Sequence, residues 1–206
     1  MFRINDEICT ERIFKFSNLQ IFKLMKLTIS LLFLLCVSSA AFTQDYIAPT
    51  TPPKPGKAPG VKVKLLSTNG QTKNYVLVFA TGDELRTGLT EFAKKYAVKS
   101  AHYSAIGDAS TVTVGWYDEQ KKMFKVIPIN EAAEVTNLTG NIAIYNGQPV
   151  AHSHVNVATS DGIVHGGHLL ELVVGPTLEV FITVEPVGLY KKFDEKSKAA
   201  VIDPEE

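Results

Sequence analysis

Cysteine is nearly absent from this chain of 206 residues, and both copies, Cys9 and Cys36, lie near the N-terminus. From Asp45 onward there is none. That part can form no disulfide, build no thiolate metal site and run no cysteine nucleophile chemistry. Its stability has to come from its core, with oligomerisation as a second source. A long apolar run is missing too, because the stretch Leu27 to Val37 is too short to span a membrane comfortably. No serine nucleophile elbow or phosphate-binding glycine loop is present. Nor is there an excess of either charge: from Asp45 the chain carries 16 basic and 18 acidic side chains, a formal balance of −2. Lysines alternate with acids except at Lys121-Lys122 and Lys191-Lys192, whereas phosphate-neutralising proteins need a concentrated basic surface.

What is present begins with a leader. Met25-Lys26, the apolar run and Ser38-Ser39-Ala40-Ala41 give a basic start, a short hydrophobic core and small residues at the exit, the pattern of a secretory signal peptide over 25–44. Cleavage after Ala40 or near Gln44 fits equally well. Residues 1–24 precede a convincing initiator at Met25 and are read as an over-extended gene start. Cys36 follows the bulky Leu35 and is not read as a lipid anchor. The expected location is outside the cytoplasm, periplasmic or secreted, with no membrane span in the mature chain. Residues 45–60 contain five prolines between Pro49 and Pro59 and read as a semi-extended linker.

A single domain is expected over 61–190. Val61 to Leu66 and Tyr75 to Phe79, separated by Asn69-Gly70, predict an opening hairpin. Thr81 and Glu84 suggest a capping box, followed by Leu85, Leu89, Phe92, Ala93 and Tyr96 at helical spacing. Strand-like runs follow at Ala101 to Ile106, Thr111 to Tyr117, Met123 to Ile129, Val135 to Tyr145, Leu169 to Val174 and Leu178 to Val184. Gly107-Asp108, Asp118-Glu119-Gln120 and Asn146-Gly147 read as turns. One amphipathic helix packed on one face of a largely antiparallel sheet makes an α+β fold. The segment 191–206 reads as a charged, frayed tail, although Ala199 to Ile202 is apolar enough to dock.

Four of the five histidines fall between Ala151 and Leu170. Val150 to Val157, then Thr159-Ser160-Asp161-Gly162, then Ile163-Val164 read as strand, turn and returning strand. His152 and His154 then share a face, about 7 Å apart along the strand. A turn centred on Asp161 sets residue 154 opposite residue 168, so His168 joins them. His165 has the opposite parity and faces away unless Gly166-Gly167 hosts a bulge. Three cationic rings on one patch would repel, and three neutral ones each need a partner when buried. A transition metal removes both difficulties. With three nitrogens and no thiolate, zinc is the default ion, and nickel, copper or iron would also be satisfied. His102 reads as an ordinary half-buried histidine, with a fourth-ligand role as the alternative. Glu171, three residues after His168, falls on the other strand face by parity.

The pattern His152-x-His154, a turn, Gly166-Gly167-His168-Leu169-Leu170 and then Pro176-Thr177-Leu178-Glu179-Val180 resembles the PPC domain, the "plants and prokaryotes conserved" or DUF296 family. The likeness extends upstream through Gly82-Asp83-Glu84-Leu85 and Ser104-Ala105-Ile106-Gly107, covering about Val61 to Pro186. It implies a largely antiparallel sheet, a homotrimer and, as in prokaryotic members, zinc held by the three histidines. Plant members join this domain to AT-hooks and bind DNA.

Three readings of function follow. The first is an exported metal-binding module with His152, His154 and His168 as ligands and room for a small molecule at the ion. The second is a zinc hydrolase or lyase, since three ligands leave a tetrahedral ion an open position where bound water is acidified. Its general base is unplaced. DNA binding is the third, and the export signal, the charge balance and the lack of any Arg-Gly-Arg-Pro AT-hook stand against it.

Overall fold

A computed structural model describes residues 44–206 together with Lys23 and Lys26. The expected gene-start extension but for Lys23, and all of the signal segment but Lys26 and Gln44, therefore lie outside the described residues. Within 44–206 the architecture is α+β, with one helix and ten strands paired antiparallel except for a single parallel contact. The strands are β1 (Tyr46–Ile47), β2 (Lys62–Asn69), β3 (Thr72–Ala80), β4 (Ser100–Asp118), β5 (Met123–Ile129), β6 (Ala133–Tyr145), β7 (Gln148–Ala158), β8 (Val164–Val184), β9 (Tyr190–Asp194) and β10 (Ala199–Asp203), with α1 (Leu85–Lys95) after β3. Eight of them run in the order β1-β5-β4-β6-β7-β8-β3-β2, β4 pairs with β8 as well, and β9 joins β10 and the flank of β6. The pairings β4–β6, β6–β7, β7–β8 and β8–β4 thus close on themselves, wrapping the sheet around its own core.

Alternation builds that core. Tyr75, Leu77 and Phe79 of β3 are buried while Val78 between them is 36% exposed, the period-two pattern of a strand with one wet face. Val155 and Val157 of β7 join Leu169, Leu172 and Val174 of β8 in the same cluster. The expected stripe of α1 packs there too through Leu85, Leu89, Phe92 and Ala93. Tyr96 sits past the helix end, 39% exposed, tilted against the rings of Tyr75 and Phe92.

The helix start differs from the expected capping box. Glu84 itself is the N-cap, its carboxylate accepting from the N–H groups of Arg86 at 3.1 Å and Thr87 at 2.7 Å. Thr81 instead donates its hydroxyl to the Pro176 carbonyl at 3.0 Å. Buried Asp83 explains the delay, because it holds the turn after β3 by accepting from the N–H groups of Ala80 and Gly60, both at 2.9 Å. Glu84→Ala is expected to lower stability by about 1–2 kcal/mol, a fall in Tm of roughly 2–8 °C for a chain of this size. Thermal unfolding followed by circular dichroism checks it, and an unchanged Tm would show the cap to be idle.

Two expected boundaries dissolve in the structure. The two runs on either side of Gly107-Asp108 form one strand, β4. Gly107 is a bulge point, with φ near +140°, and a Cβ there would lie 2.8 Å from Leu178 Cα. The runs on either side of Gly175-Pro176 likewise belong to one strand, β8. Glycine reads as a turn signal in a sequence, but here both flanks keep their sheet partners across it.

The proline-bearing segment, expected as a linker, is instead built into the fold. Tyr46 and Ile47 pair with Lys125 and Phe124, Ala58 is buried, and the Lys57 carbonyl accepts from Glu84 N–H at 2.8 Å. The segment expected to fray supplies most of β9 and all of β10, a hairpin tied back where Tyr117 donates its hydroxyl to the Ser197 carbonyl at 2.7 Å.

Candidate metal centre

The turn between β7 and β8 sets the register on which the site depends. Thr159 N–H donates to the Ile163 carbonyl at 3.0 Å, Gly162 N–H returns to the Thr159 carbonyl at 2.8 Å, and Gly162 takes φ near +77°. Asp161 closes it by accepting from the Thr159 hydroxyl at 2.7 Å and Ile163 N–H at 3.0 Å. His154 consequently pairs with His168 across the strands, with no register shift along the hairpin. His152, His154 and His168 meet, their ring centroids 5.3, 5.0 and 5.5 Å apart pairwise. One nitrogen from each lies within 4.8 Å of the others. Two nitrogens bound to one tetrahedral ion sit about 3.4 Å apart, so modest side-chain rotation closes the set.

Neighbouring residues fix these rings. Ser153, between the first two histidines, points the other way into the core and shares a 2.7 Å hydrogen bond with the Tyr103 hydroxyl, which also donates to the His152 carbonyl at 3.2 Å. His168 stacks on Phe124 of β5, with centroids 4.4 Å apart and planes 9° from parallel. Room for that ring comes from Gly115, the cross-strand partner of His168, where a Cβ would stand 3.0 Å from Phe124. Asn141 is the cross-strand partner of His152, and its side-chain oxygen is buried without a hydrogen-bond partner. Phe124, Gly115 and Asn141 carry no sequence signal of their own, because only the pairing of β4, β5 and β6 brings them here.

Burial and neighbouring cations hold the His152 and His168 rings neutral. Desolvation first, then Lys191, His154 and Arg86, pulls His152 from 6.5 to about 4. Desolvation, His152, His154, Arg86 and Lys191 bring His168 to about 3. Neutral imidazoles offer lone pairs to an ion. They also set a pH dependence: between the lowered folded values and the ordinary 6.5, the unfolded chain binds more protons than the folded one. Stability of the metal-free protein therefore falls as pH drops below about 6.5 and recovers above it. Urea midpoints on chelator-treated protein should decline from about pH 7 to about pH 5, less steeply in a His152→Asn/His168→Asn double variant.

Two other histidines stand apart. His165 pairs across from Val157, outside the cluster. His102 is exposed, with its Nδ1 3.6 Å from a Glu185 carboxylate oxygen, so it is not a fourth ligand within this chain.

Glu171 departs from its expected parity. The register against β4 shifts between Val114, opposite Leu169, and Thr113, opposite Glu171, so Leu170 is a bulge. Leu169 and Leu172 both face the core, and Glu171 lines the same cavity as His168. That cavity, of about 370 Å³, is also walled by Arg86, Thr113, Phe124 and the segment from Asp45 to Lys54.

The family described as "Plants and Prokaryotes Conserved (PCC) domain" matches residues 66–185. A plant- and prokaryote-conserved protein of Pyrococcus horikoshii is 30% identical, over 65% of this chain and 96% of that one, with a TM-score of 0.59. A candidate DNA-binding protein of Ralstonia eutropha is 33% identical, over 68% of this chain and 95% of that one, at a TM-score of 0.62. A metal-containing protein of Archaeoglobus fulgidus is 27% identical, over 69% of this chain and 96% of that one, at 0.60. Among curated proteins nothing matches.

Proposed function

Because the chain belongs to the Plants and Prokaryotes Conserved domain family, we propose that it works as a metal-binding module, exported and homotrimeric, in which His152, His154 and His168 hold one zinc ion. The observation that carries this reading is the convergence of three imidazoles on one patch of a closed hairpin. The donor set suits a borderline-soft cation: three imidazole nitrogens, with no thiolate in the chain beyond Cys36. The unpartnered Asn141 oxygen supports it further, since metal-bound histidines usually donate their second N–H to an acceptor that fixes the ring. The metal-containing Archaeoglobus relative points the same way.

Loaded with zinc and freed of excess by gel filtration, the protein should carry one ion per chain by elemental analysis, lose it to a strong chelator and regain it. A preparation that cannot be loaded would end this reading. Three protein ligands leave a position for water or a ligand, and Glu171 supplies a carboxylate in the adjoining cavity; this observation favours zinc-dependent hydrolysis or lyase chemistry as the second reading.

Trimer formation draws support from apolar side chains left outside the core. Ile106 and Phe181 are 59% and 49% exposed, and Leu66 and Phe181 share a hollow with His102 and Ser104. Sedimentation equilibrium reports the assembly directly. Export rests on the leader alone; among the described residues no helix is long and apolar enough to cross a membrane. DNA binding, suggested by the Ralstonia relative's description, is disfavoured by the balance of −2 after Asp45.

A further inference from the structure

The cavity beside His168 is lined by two side chains of opposite charge, Arg86 and Glu171, that form no ion pair with each other. Arg86 is half-buried and spends one donor on the Leu170 carbonyl at 2.8 Å. Its carboxylate neighbour Glu84 is occupied with capping, accepting from Arg86 N–H, Thr87 N–H and the Thr87 hydroxyl. Glu171 lines the same cavity, yet neither it nor Arg86 belongs to any of the ion pairs among the described residues. Lys191, half-buried near the histidines, is likewise in none of them. Arg86 lines the cavity, and the bond to Leu170 is the one hydrogen bond of its guanidinium among the described residues. Asp45 and Lys54 also line it, but both are exposed on the outer segment. Around these groups the walls are aromatic and apolar: Tyr46, Phe124, Val126, Leu170 and prolines 49, 52 and 53.

A guanidinium and a carboxylate held in one pocket without pairing to each other ask for a ligand that pairs with both. We propose that this cavity binds a small hydroxy- or amino-carboxylic acid with an apolar body. Arg86 takes the ligand's carboxylate, Glu171 accepts a hydrogen bond from its hydroxyl or ammonium group, and the Tyr46 to Pro53 strap covers the apolar part. The strap lies outside the residues matched by the family, 66–185, whereas Arg86 and Glu171 lie within them. The assignment needs the cavity and not the ion, so it stands or falls separately from zinc binding.

The test uses 3-phenyllactate as probe, with its amide, which lacks the negative charge, and 3-phenylpropionate, which lacks the hydroxyl. Binding to chelator-treated and zinc-loaded full-length protein is followed by titration calorimetry. The acid should bind saturably in both preparations, about tenfold or more tighter than the amide, since a charge-assisted pair is at stake. It should also bind a few-fold tighter than 3-phenylpropionate, the weight of one hydrogen bond. Arg86→Gln should bring the acid-to-amide ratio near one, and Glu171→Leu should remove the preference for the hydroxyl. Equal binding of acid and amide by the unaltered protein, or no saturable binding at millimolar concentration, overturns the proposal without any variant having to fold. Ratios untouched by Arg86→Gln and Glu171→Leu overturn it as well. Zinc uptake without ligand binding defeats this inference alone, and ligand binding without zinc uptake defeats the metal reading alone.

Discussion

Alanine at His168 should weaken zinc binding by about a hundredfold or more. Full ligand sets in small zinc domains contribute about 10–16 kcal/mol near neutral pH, so one nitrogen of three carries about 3 kcal/mol or more, and each 1.4 kcal/mol is tenfold. His168 is the ligand to choose because it is the one delivered by the opposite strand, across from His154, so the ion ties β7 to β8 through it. Alanine there also strips the stacking partner from Phe124. His152→Ala and His154→Ala should act alike. His165→Ala and His102→Ala, which lie outside the cluster, should leave affinity within about threefold of the original. Competition with a chromophoric chelator gives the affinity. A second readout is thermal: zinc should raise the Tm of the unaltered protein, as any ligand specific to the folded state does, and fail to raise that of His168→Ala. Retention of one tightly bound ion by His168→Ala would remove this residue from the centre.

The parts of the fold that could be read from the sequence are those fixed by local rules. Asn69-Gly70 and Asp161-Gly162 are turn chemistry in themselves, and the spacing of Leu85, Leu89, Phe92 and Ala93 is a helix face however the rest is arranged. Because the turn at Asp161 sets the register and the side-chain period is two, the pairing of His154 with His168 follows from counting. What could not be read depends on partners far away in sequence. Gly107 looks like a turn until β6 and β8 are seen to pair on both its sides. The parity argument that set Glu171 apart from His168 fails because β4 imposes a bulge at Leu170, and a single extra residue flips every side chain beyond it. The proline-bearing segment has a spacer's composition, yet Tyr46 and Ile47 find an open edge on β5. Composition describes a chain in isolation and cannot report an edge offered some eighty residues later.

The largest loss of stability should come from Phe79→Ala, which touches no histidine. Its ring is fully buried at the junction of three pieces of chain. It lies on β3, it fills the space a Cβ on Gly88 of α1 would need, and Ala58 of the proline-bearing segment would stand 3.1 Å from that same Cβ. The helix therefore approaches the sheet closely because residue 88 is glycine and residue 79 is phenylalanine. Removing the ring leaves a void that neither neighbour can fill, since both are small. Truncations of this kind cost about 3–5 kcal/mol, or roughly 6–20 °C in Tm for a chain of this size. Phe79→Leu should recover most of the loss. Zinc affinity measured below the unfolding range should change by less than about threefold, because β7, β8 and their turn hold the histidines without help from residue 79. A Tm within about 2 °C of the original would show that the helix is not anchored through this ring, and a large drop in zinc affinity at low temperature would show that the centre depends on the helix as well as on the hairpin.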